Sequence, residues 1–471
     1  MRSSVMNVCV GTRPSRGRLA PILCAFFWGV FVARAGLWVT GYYPGYRQTY
    51  LPPSAIDFSA LTHIIHFSVI PNSDGSLDAA SNGITPARSA EIVSRAHAAG
   101  VKILLCVGGG ASQAGFQSAT APGTLGTFIG NLTNFMQLYG YDGLDVDWEP
   151  LPATDFQQYT NFVTQLRAAL NSYGSAKLLT VAAGAYPSYG DPPTSEYTMF
   201  AALQSQFDQI NVMTYDLSGP YSGWVTWFNA PIFDGGYTFP STHGLVPSTQ
   251  GAINNFVSNG VVSAKLGIGV AFYGDIWAGG SGTLTGGAAL PRQSWTTAPN
   301  VTSIAYFDIM STYFQSNLYH WDNAAQAAYL SIDNSGSTND MFISYDDERT
   351  CETKVSYARN RFLGGVMIWE LGEGYRATLP VGQRDPLLQA LKRALATPQF
   401  TSVQRTNNDV VLSFTTAWLA AYRLVSTTNL TNGAWNTLAT NLSGNSLTQQ
   451  VTDPDALTNQ SPRFYRLQTP P

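Results

Sequence analysis

Short apolar runs recur along the chain at residues 37–43, 62–69, 101–107, 143–148, 178–185, 209–215, 265–272 and 365–369. The stretches between them are too long for hairpin turns. Several carry the 3–4 spacing of an amphipathic helix: residues 85–99, 124–139, 153–173 and 348–362. Within 153–173 the apolar face is Phe156, Tyr159, Phe162, Val163 and Leu166. Strands joined by helical crossovers run parallel. Eight such units suit a closed (β/α)8 TIM barrel, so the expected fold class is α/β.

One crossover is oversized. Between the seventh and eighth runs, about residues 275–340 exceed what a barrel helix needs, and a small α+β insertion is expected there, building one wall of the barrel mouth. After Pro398 the texture changes to Thr, Asn, Ser and Leu, with alternating runs at 410–415, 421–426 and 463–467. These predict a C-terminal all-β, β-sandwich-like module over residues 397–471. Sugar binding, spacing and a secretion signal are all compatible with it, and a spacer is the plainer reading.

Residues 1–35 read as a secretory signal peptide: Arg2, Arg13, Arg16 and Arg18, an apolar stretch at 19–32, then the small-x-small site Ala33-Arg34-Ala35. The apolar stretch falls short of the roughly 20 residues that span a bilayer. A secreted product is expected, extracellular or periplasmic, free of the membrane after cleavage and monomeric, with its barrel domain over residues 36–396. Cleavage leaves only Cys106 and Cys351, which rules out a disulfide framework and predicts a buried thiol at Cys106. Charged residues are sparse at 11%, with a net charge of −4. That argues against nucleic acid, which is bound through Lys and Arg on phosphate. An aromatic content of 13% suits a carbohydrate binder and an aromatic core equally.

The chemistry concentrates in the fourth run, Asp142-Gly-Leu-Asp145-Val-Asp147-Trp148-Glu149. Alternate side chains of a strand share a face, so Asp145, Asp147 and Glu149 lie in one line, about 6.6–7 Å per step. In a barrel that face is the interior, and Glu149 reaches the C-terminal rim where active sites form. Neighbouring carboxylates raise one another's pKa, which leaves a shared proton and an acid protonated near neutral pH. The rival readings are an outward acidic face, which would put Leu144, Val146 and Trp148 inside, and a metal site, which lacks nearby histidines.

The run 142–149 resembles the DGxDxDWE motif of glycoside hydrolase family 18, the chitinases, and the likeness extends over about residues 38–395. Residues 102–109 (KILLCVGG) resemble the third-strand SxGG segment. Met213-Thr-Tyr215-Asp216 is similar to the sixth-strand MxYD motif, and 267–274 to the seventh-strand run ending in FYG. Residues 342–347 and 364–369 resemble the approach to the eighth strand and its tryptophan.

The resemblance implies a retaining, substrate-assisted mechanism on chitin or chitooligosaccharides. Glu149 would be the general acid and base, Asp147 the partner of the acetamido N–H, and Asp145 the residue sharing its proton. Tyr215 would bind the acetamido carbonyl. Asp216, Met213, Trp369, Tyr42 and Tyr273 would bind sugar, with Trp369 as the floor and Tyr42 along the groove. No metal or organic cofactor is implied.

Three positions depart from the family pattern. Cys106 stands for serine, Asp275 for arginine, and Pro150 for a frequent aromatic residue. They leave the substrate less defined than the bond. A non-catalytic chitin-binding lectin typically lacks the terminal glutamate, which is present here. An endo-β-N-acetylglucosaminidase acting on N-glycans, and a peptidoglycan hydrolase, stay open as alternatives.

Overall fold

The structure, a computed structural model, describes residues 8–10, 36–173, 177–334, 336, 339–396, 398–416, 421–429, 434–444, 448–458 and 463–468. The chain divides into two units, Leu37–Lys392 and a second comprising Met1–Gly36 with Arg393–Pro471.

In the larger unit eight parallel strands close into a barrel: Trp38–Pro44, His63–Pro71, Lys102–Gly109, Gly143–Trp148, Leu178–Gly184, Gln209–Met213, Leu266–Ala271 and Gly365–Trp369. Closure comes from the first strand, which pairs with both the second and the eighth. Every expected strand is present, its ends displaced by at most about two residues. The strands read as nearly continuous apolar runs because both faces are buried, one under helices and one inside the barrel. Tyr42, Ile65, Leu104, Cys106, Ala182, Tyr215, Ala271 and Met367 fill that interior.

The crossovers follow local signals. Helix Pro86–Ala98 starts with Pro86 at its first position and Thr85 as cap, the threonine side chain accepting from the Arg88 N–H. Helix Leu125–Tyr139 stops at Gly140, which adopts φ 78°. Helix Phe156–Asn171 buries Tyr159, Phe162, Val163, Leu166 and Leu170, the expected face. Helix Glu348–Asn360 is capped by Asp347, whose carboxylate accepts from Thr350 N–H.

The insertion is a five-stranded antiparallel sheet of Tyr273–Ala278, Asn300–Ala305, Tyr319–Asp322, Ala327–Ile332 and Met341–Tyr345, with a helical turn at Tyr306–Asp308 that runs on into a π-helical turn at Ile309–Tyr313. It is longer at both ends than the expected 275–340, because its first strand starts two residues after the seventh barrel strand. The long loop after the sixth strand is a second, unexpected contributor. It packs Trp227, Phe228 and Phe239 against Trp277 and Phe342 of the insertion in a shared apolar core.

The smaller unit holds two antiparallel sheets. One contains Phe400–Thr406, Asp409–Thr415 and Thr448–Asp453; the other contains Ala421–Thr427, Asn436–Ser443 and Arg463–Gln468. Both contribute to one core, with Leu412 and Phe414 from the first and Tyr422, Leu424, Tyr465 and Leu467 from the second. Of the expected leader, only Val8–Val10 is described, as a strand antiparallel to Arg463–Gln468. The rest of that expectation lies outside the described residues. Among the described residues no helix is long and apolar enough to cross a membrane.

A buried ion pair fastens the seventh strand to the helix before the eighth. Lys354 Nζ lies 2.5 Å from Asp346 Oδ2, with both side chains almost wholly enclosed. Lys354 also donates to the Gly269 carbonyl, and Asp346 accepts from the Ala271 N–H. Removing one partner strands the other charge in the core. Lys354→Met is therefore expected to lower unfolding free energy by about 3–5 kcal/mol, read from the barrel's urea transition.

Candidate functional site

The fourth strand carries its three carboxylates inward, as the two-residue period requires. Its intervening residue Trp148 points the other way and stacks on Phe116 of helix Gln113–Ala119, with centroids 4.6 Å apart and planes at 7°. Leu144 and Val146 are likewise buried. Outward placement of the acids is thus excluded by where the apolar residues went.

Asp145 lies deepest. Strand register sets it beside Cys106 on the third strand and Thr180 on the fifth. Thr180 Oγ1 donates to Asp145 Oδ1 at 2.6 Å, and Tyr42 Oη donates to Oδ2 at 2.9 Å from across the barrel. The Cys106 thiol donates as well. Burial pushes the Asp145 carboxyl up, and these three donors pull against it. Cys106 is fully buried, as expected, and burial with the nearby Asp145 charge raises its thiol pKa well above the ordinary range.

Asp147 is one step nearer the mouth. Burial first, then the charges of Glu149 and Asp145, raise its carboxyl far above the carboxylate range. Glu149, partly open at the rim, is raised by burial and by Asp216, while its hydrogen bond with Asp147 pulls it down. The two form a coupled pair with a proton held between them. Asp147 Oδ1 is buried with no partner among the described residues, an acceptor available to an incoming N–H.

The backbone beneath this pair is tightly constrained. Gly108 has φ +105°, and a Cβ there would come 2.0 Å from the Asp147 carbonyl oxygen. Only glycine fits. Ser112 Oγ donates to the Asp147 carbonyl at 3.2 Å and accepts from the Glu149 N–H at 3.3 Å. Ser112 and Thr180 had no signal in the sequence beyond being polar residues near strand ends.

The sixth strand delivers Tyr215 and Asp216. Tyr215 is buried, and among the described residues its hydroxyl donates to the Met367 thioether at 3.7 Å, a weak acceptor that leaves the donor available. Asp216 adopts φ +54° and is exposed at the mouth, with protein close on its other sides. Burial raises its carboxyl, and the hydrogen bond from Tyr273 opposes this.

The remaining expected residues separate. Trp369 stands partly buried, 5.5 Å from Tyr42 and 4.8 Å from Phe67 between ring centroids. Met213 is partly buried against the same cluster. Tyr42, expected along the groove, is only 1% exposed, with its hydroxyl committed to Asp145. Tyr273 is also buried, and its hydroxyl donates to Asp216 Oδ1 at 2.6 Å. Both tyrosines hold carboxylates and present little surface to a ligand. Tyr42 lies within the first barrel strand and Tyr273 opens the first strand of the insertion, and periodicity does not specify how deep either ring sits.

Asp275, standing where a basic residue was the reference, is buried as well. Ser303 Oγ donates to its Oδ1 at 3.2 Å. Burial, then the neighbouring Asp216, lifts its carboxyl to about 7.

A family model described as "Glycosyl hydrolases family 18" matches residues 39–374. Chitinase A1 of Niallia circulans is 30% identical over 388 residues, covering 74% of this chain and 52% of that protein. A class V chitinase of Arabidopsis thaliana is 30% identical over 334 residues, covering 68% of this chain and 82% of that one. The match thus spans about half the length of the Niallia protein. Among solved structures, the Group IV chitinase of Ostrinia furnacalis shares the fold, with a TM-score of 0.64 and 24% identity over 77% of this chain and all of that one.

A carboxyl whose folded pKa lies above its unfolded value binds more protons in the native state. Its stabilising effect is complete below the ordinary carboxylate range and is lost as pH rises to the folded pKa. For Asp275 that window runs from the unperturbed value of 3.8 to about 7. Asp275→Asn, which keeps an acceptor for Ser303, is expected to flatten the decline in melting temperature across this window.

Proposed function

This chain belongs to glycosyl hydrolase family 18, and we propose that it is a secreted chitinase cleaving β-1,4 bonds between N-acetylglucosamine units with retention of configuration. One observation carries the reading: three inward carboxyls in a single line, the outer two coupled, with Tyr215 and Trp369 beside them.

Glu149 at the mouth holds its proton at a pH where a free glutamate has lost it, and gives it to the glycosidic oxygen as the bond breaks. The acetamido carbonyl oxygen of the sugar being cleaved attacks its own anomeric carbon and closes an oxazolinium ion. Asp147 Oδ1, buried and without a partner, accepts the acetamido N–H and stabilises the positive charge that forms. Tyr215 donates to the acetamido oxygen, holding it in line. Water then adds to the anomeric carbon from the face the leaving group vacated and passes its proton to Glu149. Two inversions leave the configuration unchanged.

Asp145 regulates this pair from below. Its donors favour the anion, so it competes poorly for the proton on Asp147. Trp369 forms the floor, and Asp216 and Met213 border the sugar. Tyr42 and Tyr273 act at one remove, through Asp145 and Asp216. The insertion supplies a wall suited to a polymer lying in a groove. The leader at residues 1–35 supports export, and a soluble monomer is the state proposed.

Glu149→Gln is expected to lower kcat on chitooligosaccharides by at least about 100-fold, the lower range for a lost acid–base group, with binding of the same oligomers little changed by calorimetry. Near-wild-type turnover would sink the assignment. A parallel comparison of colloidal chitin, N-glycoprotein and peptidoglycan as substrates tests the polymer. Cys106→Ser replaces a weak donor to Asp145 with a stronger one. The Asp145 anion is favoured, its folded pKa falls, and the acidic limb of kcat/KM is expected to move to lower pH.

A further inference from the structure

Asp216 sits at the end of the sixth strand in the left-handed region that non-glycine residues seldom occupy. Such a conformation costs roughly 1–3 kcal/mol and persists only where surrounding groups impose it. The group that imposes it here is Asn229, thirteen residues further along the loop.

Asn229 is fully buried, and three of its polar groups are committed. Its Oδ1 accepts from the Asp216 N–H at 2.7 Å. Its carbonyl accepts from the Leu217 N–H at 2.9 Å. Its own N–H donates to Ser344 Oγ, also at 2.9 Å. Ser344 belongs to the last strand of the insertion and lies directly opposite Asp275 in the antiparallel ladder. Opposed residues of such a ladder share a face. Asn229 therefore ties the end of a barrel strand to the insertion sheet, on the face that bears Asp275. Its fourth group, Nδ2, is buried without a partner among the described residues.

We propose that Asn229 is a positioning residue, which fixes Asp216 at the rim and makes the insertion sheet part of the reaction rather than only a wall of the groove. The proposal rests on the chitinase reading for its kinetic consequence and on geometry for the rest. Asp216 reaches Glu149 through its charge, and shares its surroundings with Tyr215, Tyr273, Asp275 and Glu373. Glu149 itself faces Asp147 and Asp216. Arg47 is held by Glu370 and by Glu373, the latter of which also feels the charge of Asp216. If Asp216 drifts outward, Glu149 loses a negative neighbour and gives up its proton more readily.

The unpartnered Nδ2 makes a discriminating experiment available. Asn229→Asp keeps the oxygen that accepts from Asp216 and forfeits no hydrogen bond, whereas Asn229→Ala removes the acceptor. In the full chain, kcat and KM on chitooligosaccharides would be followed from about pH 4 to 9, a range that brackets the acid and its base. Thermal melting would be measured on each variant, together with the carboxyl titration of Glu149 by carbon-13 NMR without substrate.

Asn229→Ala is expected to lower kcat about tenfold, to move the basic limb down by about half a pH unit and to lower the Glu149 midpoint equally, as loss of a nearby like charge requires. Asn229→Asp should recover most of kcat, with the limb at or above its wild-type position. Ser344→Ala should shift the same quantities in the alanine direction by less, and it carries the test if Asn229→Ala does not fold. An unchanged limb and midpoint in Asn229→Ala, with only melting lowered, overturns the proposal. So does an aspartate variant that follows the alanine one downward. Wild-type protein inert on chitooligosaccharides would instead overturn the chitinase reading, and the Glu149 titration would still decide the role of Asn229.

Discussion

Placing Asp145 at the centre of a closed barrel removes its carboxyl from water altogether. Desolvation is the dominant influence on it and on each acid above it, ahead of any neighbouring charge. Three hydrogen bonds to one buried carboxyl, from Tyr42, Thr180 and Cys106, offset part of that cost at the bottom of the column. Higher up the donors thin out: Asp147 has a bare oxygen, and Glu149 stands in the mouth. Protein groups thus solvate the lowest acid well and the middle one poorly, while the outermost meets water at the rim. The anion is hardest to hold at Asp147, which keeps a proton between it and Glu149. The barrel's closure, its glycine pair at the end of the third strand and the aromatic layer under Trp369 all serve to keep water from erasing that difference.

The second organising feature is the shared core between the loop after the sixth strand and the insertion after the seventh. Trp227, Phe228 and Trp277 lie fully buried in it, so neither segment is a free arm. A rigid seat there gives Asn229 something to hold against. Left-handed backbone at Asp216 is then stable because two elements, remote in sequence, meet at one residue.

How much of this was legible beforehand depended on which physical rule governed each part. The strands were readable because burial on both faces leaves no room for polar alternation. The fourth strand stood out further because carboxylates at alternate positions contradict that rule. Helices with a single apolar face, such as Phe156–Asn171, were equally plain. Ser195–Leu203 was not, since Glu196, Tyr197, Met199, Phe200 and Leu203 are buried around most of its circumference and leave no stripe. Ser112, Thr180 and Asn229 escaped notice because a hydrogen bond between distant residues leaves no periodic mark. Tyr42 and Tyr273, expected to bind sugar, lie buried with their hydroxyls on Asp145 and Asp216. A strand's period gives the side of the sheet, but not whether a ring ends in the groove or beneath it.

The raised carboxyls also bear on the net charge of the folded molecule. A tally of side chains over the full sequence gives a charge of −4, and over residues 36–471, without the five arginines of the leader, −9. That tally treats every Asp and Glu as ionised, yet burial lifts Asp275 and Glu370 to about 7 and Glu196 to about 8. Around neutrality the native protein therefore carries fewer negative charges than its denatured chain, and unfolding releases protons to the buffer. Acids kept from water, inside the reaction site and outside it, thus leave the folded molecule less negative than its composition implies.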